Sequence, residues 1–499
     1  MVSTLSPPKI PTGVPGLDTV LQGGIQSGRV YLVEGTPGTG KTTLALQFLL
    51  AGRAEGQSGL YMTLSESSPE LNAAAESHGW SLDGLDIFEL VSEEGLDPDQ
   101  AQSVLHPSEL ELGETTRAVI AEVAARKPAR VVFDSLSEMR LLAQNPLRYR
   151  RQVLALKQFF TQHDCTVLLL DDRTSEAGDL QLHSIAHGVV LLEQIPLEYG
   201  AERRRMRVMK LRGAAFHGGW HDYIIQRGGL TIFPRLVSHG HSLTFTDGAV
   251  SSGALGLDAL LGGGLVRGTN TLLMGPSGAG KSSTATAAVV AALRRGERAA
   301  YFLFDEGLPS LLTRSANLGM DLRPHIASDL FIARQVDPAE MSPGQFAIMV
   351  RDVVEEGRAS VVVIDSLNAY LQSMPGEQYL LLQMHELLTY LNQCGAITLL
   401  VLGQHGLVGD VRSRVDLSYL ADSVVLLRFF EVNGVVRKAI SVLKTRTTAH
   451  ETTIREFTLG KDGLLVGEPL KGFHGVLAGT PIWSGVNTDL MSLDGKGAD

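Results

Sequence analysis

Two glycine-rich segments of this chain combine a lysine with a hydroxyl residue at a spacing that suits phosphate binding. The segments are Gly35-Thr36-Pro37-Gly38-Thr39-Gly40-Lys41-Thr42-Thr43 and Gly275-Pro276-Ser277-Gly278-Ala279-Gly280-Lys281-Ser282-Ser283. Both satisfy the P-loop pattern G-x-x-x-x-G-K-[ST], in which backbone N–H groups surround a triphosphate at the start of a helix. Lys41 and Lys281 would reach the β- and γ-phosphates, and Thr42 and Ser282 would place a hydroxyl on Mg²⁺. The sequence therefore predicts two sites for ATP and Mg²⁺.

An aspartate ends an apolar run downstream of each P-loop. Asp134 closes Arg130-Val131-Val132-Phe133-Asp134, and Asp365 closes Val361-Val362-Val363-Ile364-Asp365. In P-loop nucleotidases, an acid at the end of a neighbouring buried strand orients the Mg²⁺ shell. An acid that caps a turn after a strand gives the same pattern, but its recurrence beside two P-loops favours the metal role. We expect Asp134 and Asp365 to act with Thr42 and Ser282 at the metal.

Further acids follow the second apolar run after each P-loop. The first copy has Ser65-Glu66 with one carboxylate, and the second has Asp305-Glu306 with two. A carboxylate there would orient or deprotonate the water that attacks the γ-phosphate. We expect Glu66 to carry the first site alone and Glu306, beside Asp305, to carry the second. The alternative is that these acids are solvated groups at a strand end.

A lysine and an arginine two residues apart recur near the end of each copy. They are Lys210 with Arg212, and Lys444 with Arg446. Strand alternation places both cations of a pair on one face. Because each pair is distant in sequence from its own P-loop, we expect it to complete the site of a neighbouring subunit and stabilise charge in the transition state. His450 follows the second pair and joins the candidate nucleotide-binding residues.

The elements that must position these residues form an internal repeat. Lys281 follows Lys41 by 240 residues, and Thr12–Asp18 matches Ser252–Asp258 at the same offset. Short apolar runs alternate with helical patterns, which predicts an α/β fold with a mainly parallel sheet covered on both faces by helices. Strands are predicted at 30–34, 59–64, 130–134 and 166–170, helices at 42–53, 68–77, 108–125 and 147–162, and antiparallel strands at 189–193, 207–211, 424–430 and 438–444. We predict domains at 1–246 and 247–484 and a flexible tail at 485–499.

Composition narrows the classes of partner. The formal net charge is −11, the pI is about 5.7 and aromatic residues make up 6% of the chain, so nothing attracts nucleic acid or an anionic membrane. Two cysteines, Cys165 and Cys394, are predicted to be reduced thiols. Without a signal segment or an apolar run of transmembrane length, the chain is predicted to be cytoplasmic.

Taken together, these residues resemble the KaiC family, the two-domain RecA-like ATPases of the bacterial circadian clock and their non-clock relatives. The resemblance runs from Thr12 to about Pro481 and includes both P-loops, the strand acids, the Lys-x-Arg pairs and His450–Phe457. It implies two tandem RecA-like domains in a homo-hexamer of two stacked rings, with ATP at subunit interfaces and slow hydrolysis. In clock members it also implies autophosphorylation of the second domain. Partners implied are KaiB-like or two-component signalling proteins.

The chain departs from the family pattern at three places. Ser418 matches the phosphorylated serine, but Tyr419 stands where the family has a threonine. Ser65 replaces one of the paired acids, which predicts weaker hydrolysis in the first domain. The chain ends soon after Trp483, without the long tail of clock members. These departures favour a non-clock member that keeps the ATPase rings, with Ser418 as the one candidate phosphosite of the pair.

Three functions are compatible with these observations. The first is a Mg²⁺-dependent ring ATPase with Ser/Thr autokinase activity that acts as a signalling or timing switch. The second is a nucleotide-gated interaction hub whose turnover is incidental. The third is a DNA-handling ATPase of the RecA or helicase type, which would need a basic groove with stacking aromatic residues. The acidic pI and low aromatic content argue against the third.

Overall fold

The computed structural model describes residues 8–90, 107–143, 145–173, 181–236, 245–372, 380–404, 418–477, 482–483 and 490–491. Contacts divide the chain into two compact units, Met1–Arg235 and Leu236–Asp499, which we call the first and second unit. The domain boundary expected after residue 246 stays a prediction. Most of the predicted tail at 485–499 lies outside the described residues, and Met491 within it donates its backbone N–H to Glu456 Oε2 at 2.8 Å.

The first unit contains short and long strands and seven helices among its described residues. The strands are β1 (Lys9–Ile10), β2 (Ile25–Gln26), β3 (Val30–Gly35), β4 (Gly59–Thr63), β5 (Asp86–Glu89), β6 (Arg130–Asp134), β7 (Thr166–Asp172), β8 (Gly188–Ile195), β9 (Arg203–Leu211), β10 (His221–Gln226) and β11 (Gly229–Phe233). The helices are α1 (Leu17–Val20), α2 (Lys41–Ala54), α3 (Ser68–Ser77), α4 (Pro107–Arg126), α5 (Leu136–Ala143), α6 (Pro146–Gln162) and α7 (Gln181–Ile185).

The second unit repeats this order. Its strands are β12 (Ala249–Val250), β13 (Leu265–Val266), β14 (Asn270–Gly275), β15 (Arg298–Leu303), β16 (Phe331–Gln335), β17 (Ala359–Asp365), β18 (Ile397–Gly403), β19 (Ser423–Val432), β20 (Val435–Lys444), β21 (Ile454–Gly460), β22 (Gly463–Pro469), β23 (Phe473–His474) and β24 (Ile482–Trp483). Its helices are α8 (Leu255–Leu260), α9 (Lys281–Arg294), α10 (Leu308–Asn317), α11 (Arg323–Ala327), α12 (Pro343–Glu355), α13 (Leu367–Gln372), α14 (Leu380–Gln393) and a 3-10 helix at Ser418–Leu420.

Each unit is built on a nine-stranded sheet with one topology. The strand order is β5-β4-β6-β7-β3-β8-β9-β10-β11 in the first unit and β16-β15-β17-β18-β14-β19-β20-β21-β22 in the second. Strands from β5 to β8, and from β16 to β19, pair in parallel, and the remaining three strands of each sheet are antiparallel. The predicted fold of two tandem, mainly parallel α/β domains is confirmed.

Helices cover both faces of each parallel region, which explains why its strands are apolar throughout. In β3, Val30 and Leu32 pack with one core that includes residues of α4 and α6, whereas Tyr31 and Val33 pack with a second core that includes α2. The P-loop strand is therefore fixed from both sides. Cys165, the residue before β7, is a buried free thiol.

Several elements have the bounds expected from sequence. Helix α3 spans Ser68–Ser77 as predicted, because Ser67 and Glu70 form a capping box at its start. Strand β7 continues two residues beyond its predicted end, to Asp172, so its last two residues are acids. No helix in the described parts of the chain is long and apolar enough to cross a membrane.

Candidate functional site

Both P-loops join a buried strand to the first turn of a helix. The residue before each P-loop lysine is a glycine in the left-handed region, Gly40 at φ 87° and Gly280 at φ 106°. A side chain would be strained there, because L-residues other than glycine rarely adopt positive φ. The N-terminal N–H groups of α2 and α9 therefore point from a tight turn toward a site for an anion.

In the first unit, the P-loop lysine has an acidic partner. Lys41 is 8% exposed, and its Nζ lies 2.6 Å from Asp172 Oδ1 at the end of β7. The same Nζ donates to the carbonyl oxygens of Gly35 at 3.0 Å and Thr36 at 3.2 Å. Asp172 Oδ2 also accepts a hydrogen bond from Ser137 Oγ at 3.2 Å. The ammonium is thus held between its own loop and a neighbouring strand.

The predicted metal and water-orienting acids of the first unit lie near this lysine. Asp134 accepts hydrogen bonds from the Tyr61 hydroxyl at 2.5 Å and from the Thr42 side chain. Burial raises the pKa of Asp134 despite these donors. The pKa of Glu66, which is half-buried, is raised by burial and then by the charge of Asp134. Each of these carboxylates therefore takes up a proton more readily than in water.

The second unit repeats the hydroxyl and acid arrangement, but within its described residues no acid forms an ion pair with the P-loop lysine. Lys281 Nζ donates to the Pro276 carbonyl oxygen at 2.8 Å, and burial lowers the pKa of this lysine. Asp365 accepts from the Tyr301 hydroxyl at 2.7 Å and from the Ser282 side chain, and burial raises the pKa of its carboxyl group. The residue that corresponds to Asp172 in the strand register is Gly403.

An arginine holds the predicted base of the second unit. Arg314, on α10, donates to Glu306 Oε2 at 2.7 Å and to Oε1 at 3.3 Å, and it also donates to Ser283 Oγ at 3.1 Å. Asp305 Oδ2 accepts from Ser366 Oγ at 2.5 Å. These groups open onto a cavity of about 540 Å³. Its lining includes Gly278, Lys281, Ser282, Asp305, Glu306, Arg314, Asp365 and Lys438.

The oxygen donors suit Mg²⁺ carried by a nucleotide. No group of three or more His, Cys, Asp or Glu side chains within the described ranges could hold a metal ion. Mg²⁺ in nucleotide sites typically uses one or two protein oxygens and completes its shell with phosphates and water. Thr42 with Asp134, and Ser282 with Asp365, provide such oxygens next to a P-loop.

The Lys-x-Arg pair of the first unit contacts its own backbone. Lys210 Nζ donates to the carbonyl oxygen of Ala186 at 2.9 Å and to that of His183. Arg212 Nη2 donates to the Ser184 carbonyl oxygen at 2.8 Å, and its side chain is exposed. The pair therefore holds the turn that leads into β8.

The second pair contacts the equivalent turn. Lys444 Nζ donates to the carbonyl oxygens of Ser418 at 3.0 Å and Ala421 at 2.9 Å, and Arg446 Nη2 to that of Tyr419 at 3.0 Å. Arg446 has a side-chain exposure of 51%, so it is accessible to a neighbouring molecule. The predicted contact with a second subunit stays a prediction for both pairs. His450 Nδ1 lies 3.3 Å from Thr445 Oγ1.

Ser418 begins the 3-10 helix directly before β19, as expected for a residue at a strand entrance. It is half-buried, whereas Tyr419 has a relative exposure of 51%. The matching hydrogen bonds of Lys210 and Lys444 place His183 at the corresponding position of the first unit. That histidine lies 2.8 Å from Glu34 Oε2 through its Nε2.

Sequence reasoning missed three charged residues of these sites, Asp172, Arg314 and Lys438. Asp172 could have been found, because Asp171-Asp172 follow a predicted strand in the way Asp134 does. The prediction ended that strand at Leu170 and did not consider the acids beyond it. Arg314 gave no such signal, since a single arginine on an amphipathic helix is typical of any surface.

Comparisons with known proteins identify the family of the chain. The family model described as "ATPase: KaiC" matches residues 10–237 and again residues 250–471. A protein of Synechocystis sp. named circadian clock protein KaiC3 is 27% identical over 487 residues, which cover 95% of each chain.

Two further relatives carry the name circadian clock oscillator protein KaiC. The one from Synechococcus elongatus is 28% identical over 491 residues, and the one from Picosynechococcus sp. is 27% identical over 488 residues. Both alignments cover 95% of this chain and 92% of the relative. Since the family model matches both units and accounts for most of the sequence, the chain belongs to the KaiC family of ATPases.

Proposed function

We propose that this protein is a Mg²⁺-dependent ATPase with one hydrolytic site in each unit, assembled as a homo-hexameric ring that acts as a signalling or timing switch. The observation that carries the proposal is the repeated cluster of a P-loop lysine, a hydroxyl residue hydrogen-bonded to a strand acid, and a further carboxylate. In the second unit these groups line one cavity of about 540 Å³, a size that suits a nucleotide. Cytoplasmic location stays a prediction.

The residues divide the work between binding and chemistry. The P-loop backbone and Lys41 or Lys281 hold the phosphates, and Thr42 with Asp134, or Ser282 with Asp365, hold the metal ion. Bound Mg²⁺ would neutralise charge that develops on the phosphate oxygens. Glu66 and Glu306 orient the attacking water and accept its proton.

The ring is supported by the position of the Lys-x-Arg pairs. Arg212 is exposed and Arg446 is half-exposed, and both lie at the end of an antiparallel strand of their own unit. In a ring, such cations would stabilise charge that develops at a neighbour's nucleotide, so their loss would slow hydrolysis more than it weakens binding. KaiB-like or two-component proteins are the partners that the family relationship suggests.

The autokinase activity rests on Ser418. Glu306 or Asp305 of an adjacent subunit would accept the proton of its hydroxyl as the oxygen attacks the γ-phosphate. Ser418 lies on an ordered turn, since Lys444 binds its carbonyl oxygen. Tyr419 would not substitute, because its phenolic oxygen extends farther from the backbone than a threonine hydroxyl.

Steady-state release of phosphate from purified protein with Mg-ATP tests the enzyme. Sustained release that stops in Glu66→Gln/Glu306→Gln protein supports it, whereas nucleotide binding without release indicates an interaction hub. Salt-sensitive binding of labelled single-stranded DNA would instead favour a DNA-handling ATPase.

Native mass spectrometry with and without Mg-ATP tests the ring. If ATP lies between subunits, nucleotide stabilises the assembly by mass action, and the nucleotide-free protein shifts toward smaller species. A monomer under both conditions would contradict the ring. Arg212→Ala and Arg446→Ala should lower kcat more than they raise KM.

Peptide mapping after incubation with Mg-ATP tests the autokinase. A phosphate on Ser418 that is absent from Glu306→Gln protein supports it. An unmodified Ser418 in an actively hydrolysing protein leaves an ATPase only.

A further inference from the structure

In each unit, the turn after the strand acid bonds a further acid, and that acid comes from a different neighbouring strand in the two units. In the second unit, Asp305 follows β15 and accepts a hydrogen bond from Ser366, the residue after β17, at 2.5 Å. In the first unit, the position of Asp305 is taken by Ser65, which has no carboxylate. An acid approaches the same turn from the other neighbouring strand, because Asp172 at the end of β7 accepts from Ser137 at 3.2 Å.

The serine hydroxyl groups of this turn also bond differently in the two units. Ser135, which corresponds to Ser366 one residue after the strand acid, lies 2.5 Å from Ser137 through their hydroxyl oxygens. Ser135 is thereby connected to Asp172 through Ser137. In the second unit the counterpart of Ser137 is Asn368, whose side chain bonds the backbone of Gly403 through Nδ2 at 2.9 Å and Oδ1 at 2.5 Å.

Each site therefore contains three carboxylates, although their positions differ. They are Glu66, Asp134 and Asp172 in the first unit, and Asp305, Glu306 and Asp365 in the second. Burial is the main cause of the raised pKa of Glu66 and of Asp134, and the charge of Asp172 adds a smaller upward shift to the pKa of each. Its side chain is 30% exposed, which leaves it accessible to water.

We propose that Asp172 is the second acid of the first ATP site and takes over the role that Asp305 has in the second. This inference rests on the proposed function, because it assigns a positioning residue to that reaction. In this structure, Asp172 holds Lys41 through the 2.6 Å ion pair. When ATP is bound, the phosphates take the ammonium, and the released carboxylate holds the attacking water together with Glu66.

The reaction itself balances without another reactant. The water oxygen forms a bond to the γ-phosphorus as the bond from that phosphorus to the bridging oxygen breaks and ADP leaves. The water proton passes to a carboxylate and from there to solvent. Glu66 accepts that proton, and Asp172 acts by orienting the water. The first unit is thereby predicted to hydrolyse ATP even though Ser65 cannot contribute.

The test uses the full-length protein with Glu306→Gln, so that phosphate release reports the first site. Adding Asp172→Asn should lower kcat by about 10- to 100-fold, within the range for loss of a group that assists proton transfer. It should also lower KM for ATP, because Lys41 is no longer bound to a carboxylate and one negative charge facing the phosphates is gone. Asp83→Asn, an exposed aspartate of the same unit, is the control.

A rescue variant separates positioning from a structural role. Adding Ser65→Asp to the Asp172→Asn protein moves the acid to the side used by the second unit and should restore at least about half of the lost rate on a logarithmic scale. Fluorescent-nucleotide binding checks that each variant keeps its site. If kcat is unchanged in Asp172→Asn, or if Ser65→Asp restores nothing after a loss, the inference is wrong.

The proposed function fails in a different way. If the Glu306→Gln protein with wild-type Asp172 releases no phosphate, hydrolysis by the first unit is excluded, and the inference falls with it. Unchanged release in Asp172→Asn overturns the inference alone.

Discussion

The two candidate nucleotide sites share a strand order and a P-loop, but a different charged group forms an ion pair in each. In the first unit Asp172 holds the P-loop lysine at 2.6 Å, and in the second Arg314 holds the predicted base Glu306 at 2.7 Å. Under the proposed function, ATP would displace an acid to reach Lys41, whereas Glu306 would have to leave an arginine to act on water. The difference suggests that one fold can regulate two steps of one reaction, binding in one unit and chemistry in the other.

The cores of the two units also differ at a charged residue. Arg130 is fully buried at a position that the sheet register assigns to Val361 in the second unit. Its guanidinium bonds the carbonyl oxygens of Pro11 and Phe48 at 2.8 Å each. Gly52 leaves it room, since a Cβ there would lie 2.5 Å from Arg130 Cδ. A buried polar network can thus replace an apolar contact if the facing helix residue also changes.

The largest effects should come from the water-orienting acids. Glu66→Gln and Glu306→Gln should each remove the activity of one unit, by roughly 100- to 10,000-fold at that site, because the amide cannot accept a proton. Phosphate release from the single and double variants measures both contributions. Equal rates in the wild type and either single variant would show that the site concerned contributes no turnover.

Arg130→Ala should destabilise the first unit by roughly 2–4 kcal/mol, because buried carbonyl groups lose their donor and a cavity remains. Urea unfolding should show the loss in the transition of the first unit. Arg117→Ala is the control, since that side chain is 75% exposed and such substitutions cost little. A loss of the same size in both variants would contradict the role of the buried network.

Acid should destabilise the first unit through His187. Its Nδ1 accepts the Val30 N–H at 3.1 Å, and burial lowers its pKa to about 4. Between about pH 6.5 and 4 the unfolded chain binds a proton at this histidine and the folded chain does not. The free energy of unfolding therefore decreases as the pH is lowered, by up to about 3 kcal/mol.

The second unit uses Asp422 Oδ2 to accept the corresponding Asn270 N–H at 3.0 Å. Urea unfolding of the first unit at pH 7 and pH 4 measures the effect of His187. His187→Asn keeps an acceptor that does not titrate, so its stability should fall less. An equal fall in wild type and His187→Asn would exclude the histidine as the cause.

Loss of either P-loop lysine should remove one nucleotide site. Lys41→Ala and Lys281→Ala each delete a charge-assisted contact of about 1.5–3 kcal/mol, so affinity should fall by roughly 10- to 150-fold at one of two sites. Calorimetric titration with Mg-ATP gives the stoichiometry, and Lys461→Ala, an exposed lysine, is the control. Two tight sites in Lys41→Ala protein would refute the assignment.

The smallest effect on turnover is expected when Arg314 is replaced. Arg314→Ala releases Glu306 from an ion pair worth roughly 1 kcal/mol, so turnover of the second unit should rise several-fold with little change in KM. The corresponding residue of the first unit is Ala74. Its replacement by arginine should slow that unit. Phosphate release in Glu66→Gln and Glu306→Gln backgrounds separates the two, and a slower Arg314→Ala protein would show that the arginine assists hydrolysis.

The sequence predicted what recurs and missed what differs. Both P-loops, the strand acids and the parallel strands could be predicted, because glycine spacing and continuous apolar runs depend on local chemistry. Arg130 was assigned to a strand, but nothing local shows that it is buried among carbonyl groups from distant segments. Arg314 was missed for the same reason, since its contact with Glu306 forms only in the folded unit, whereas Asp172 was missed because its strand was predicted to end at Leu170.

The turn that carries Ser418 has a consequence for how the protein could store information. It is held by Lys444 and leads into β19, which pairs with the P-loop strand β14. A phosphate on Ser418 would add roughly −1.5 to −2 charges beside Lys444 and Arg446 and compete with the carbonyl oxygens that they now bind. The turn that would carry the phosphate is thus connected to the P-loop strand by β19. The first unit has His183 at this position, so a record of past turnover kept on a serine hydroxyl at this turn would belong to the second unit.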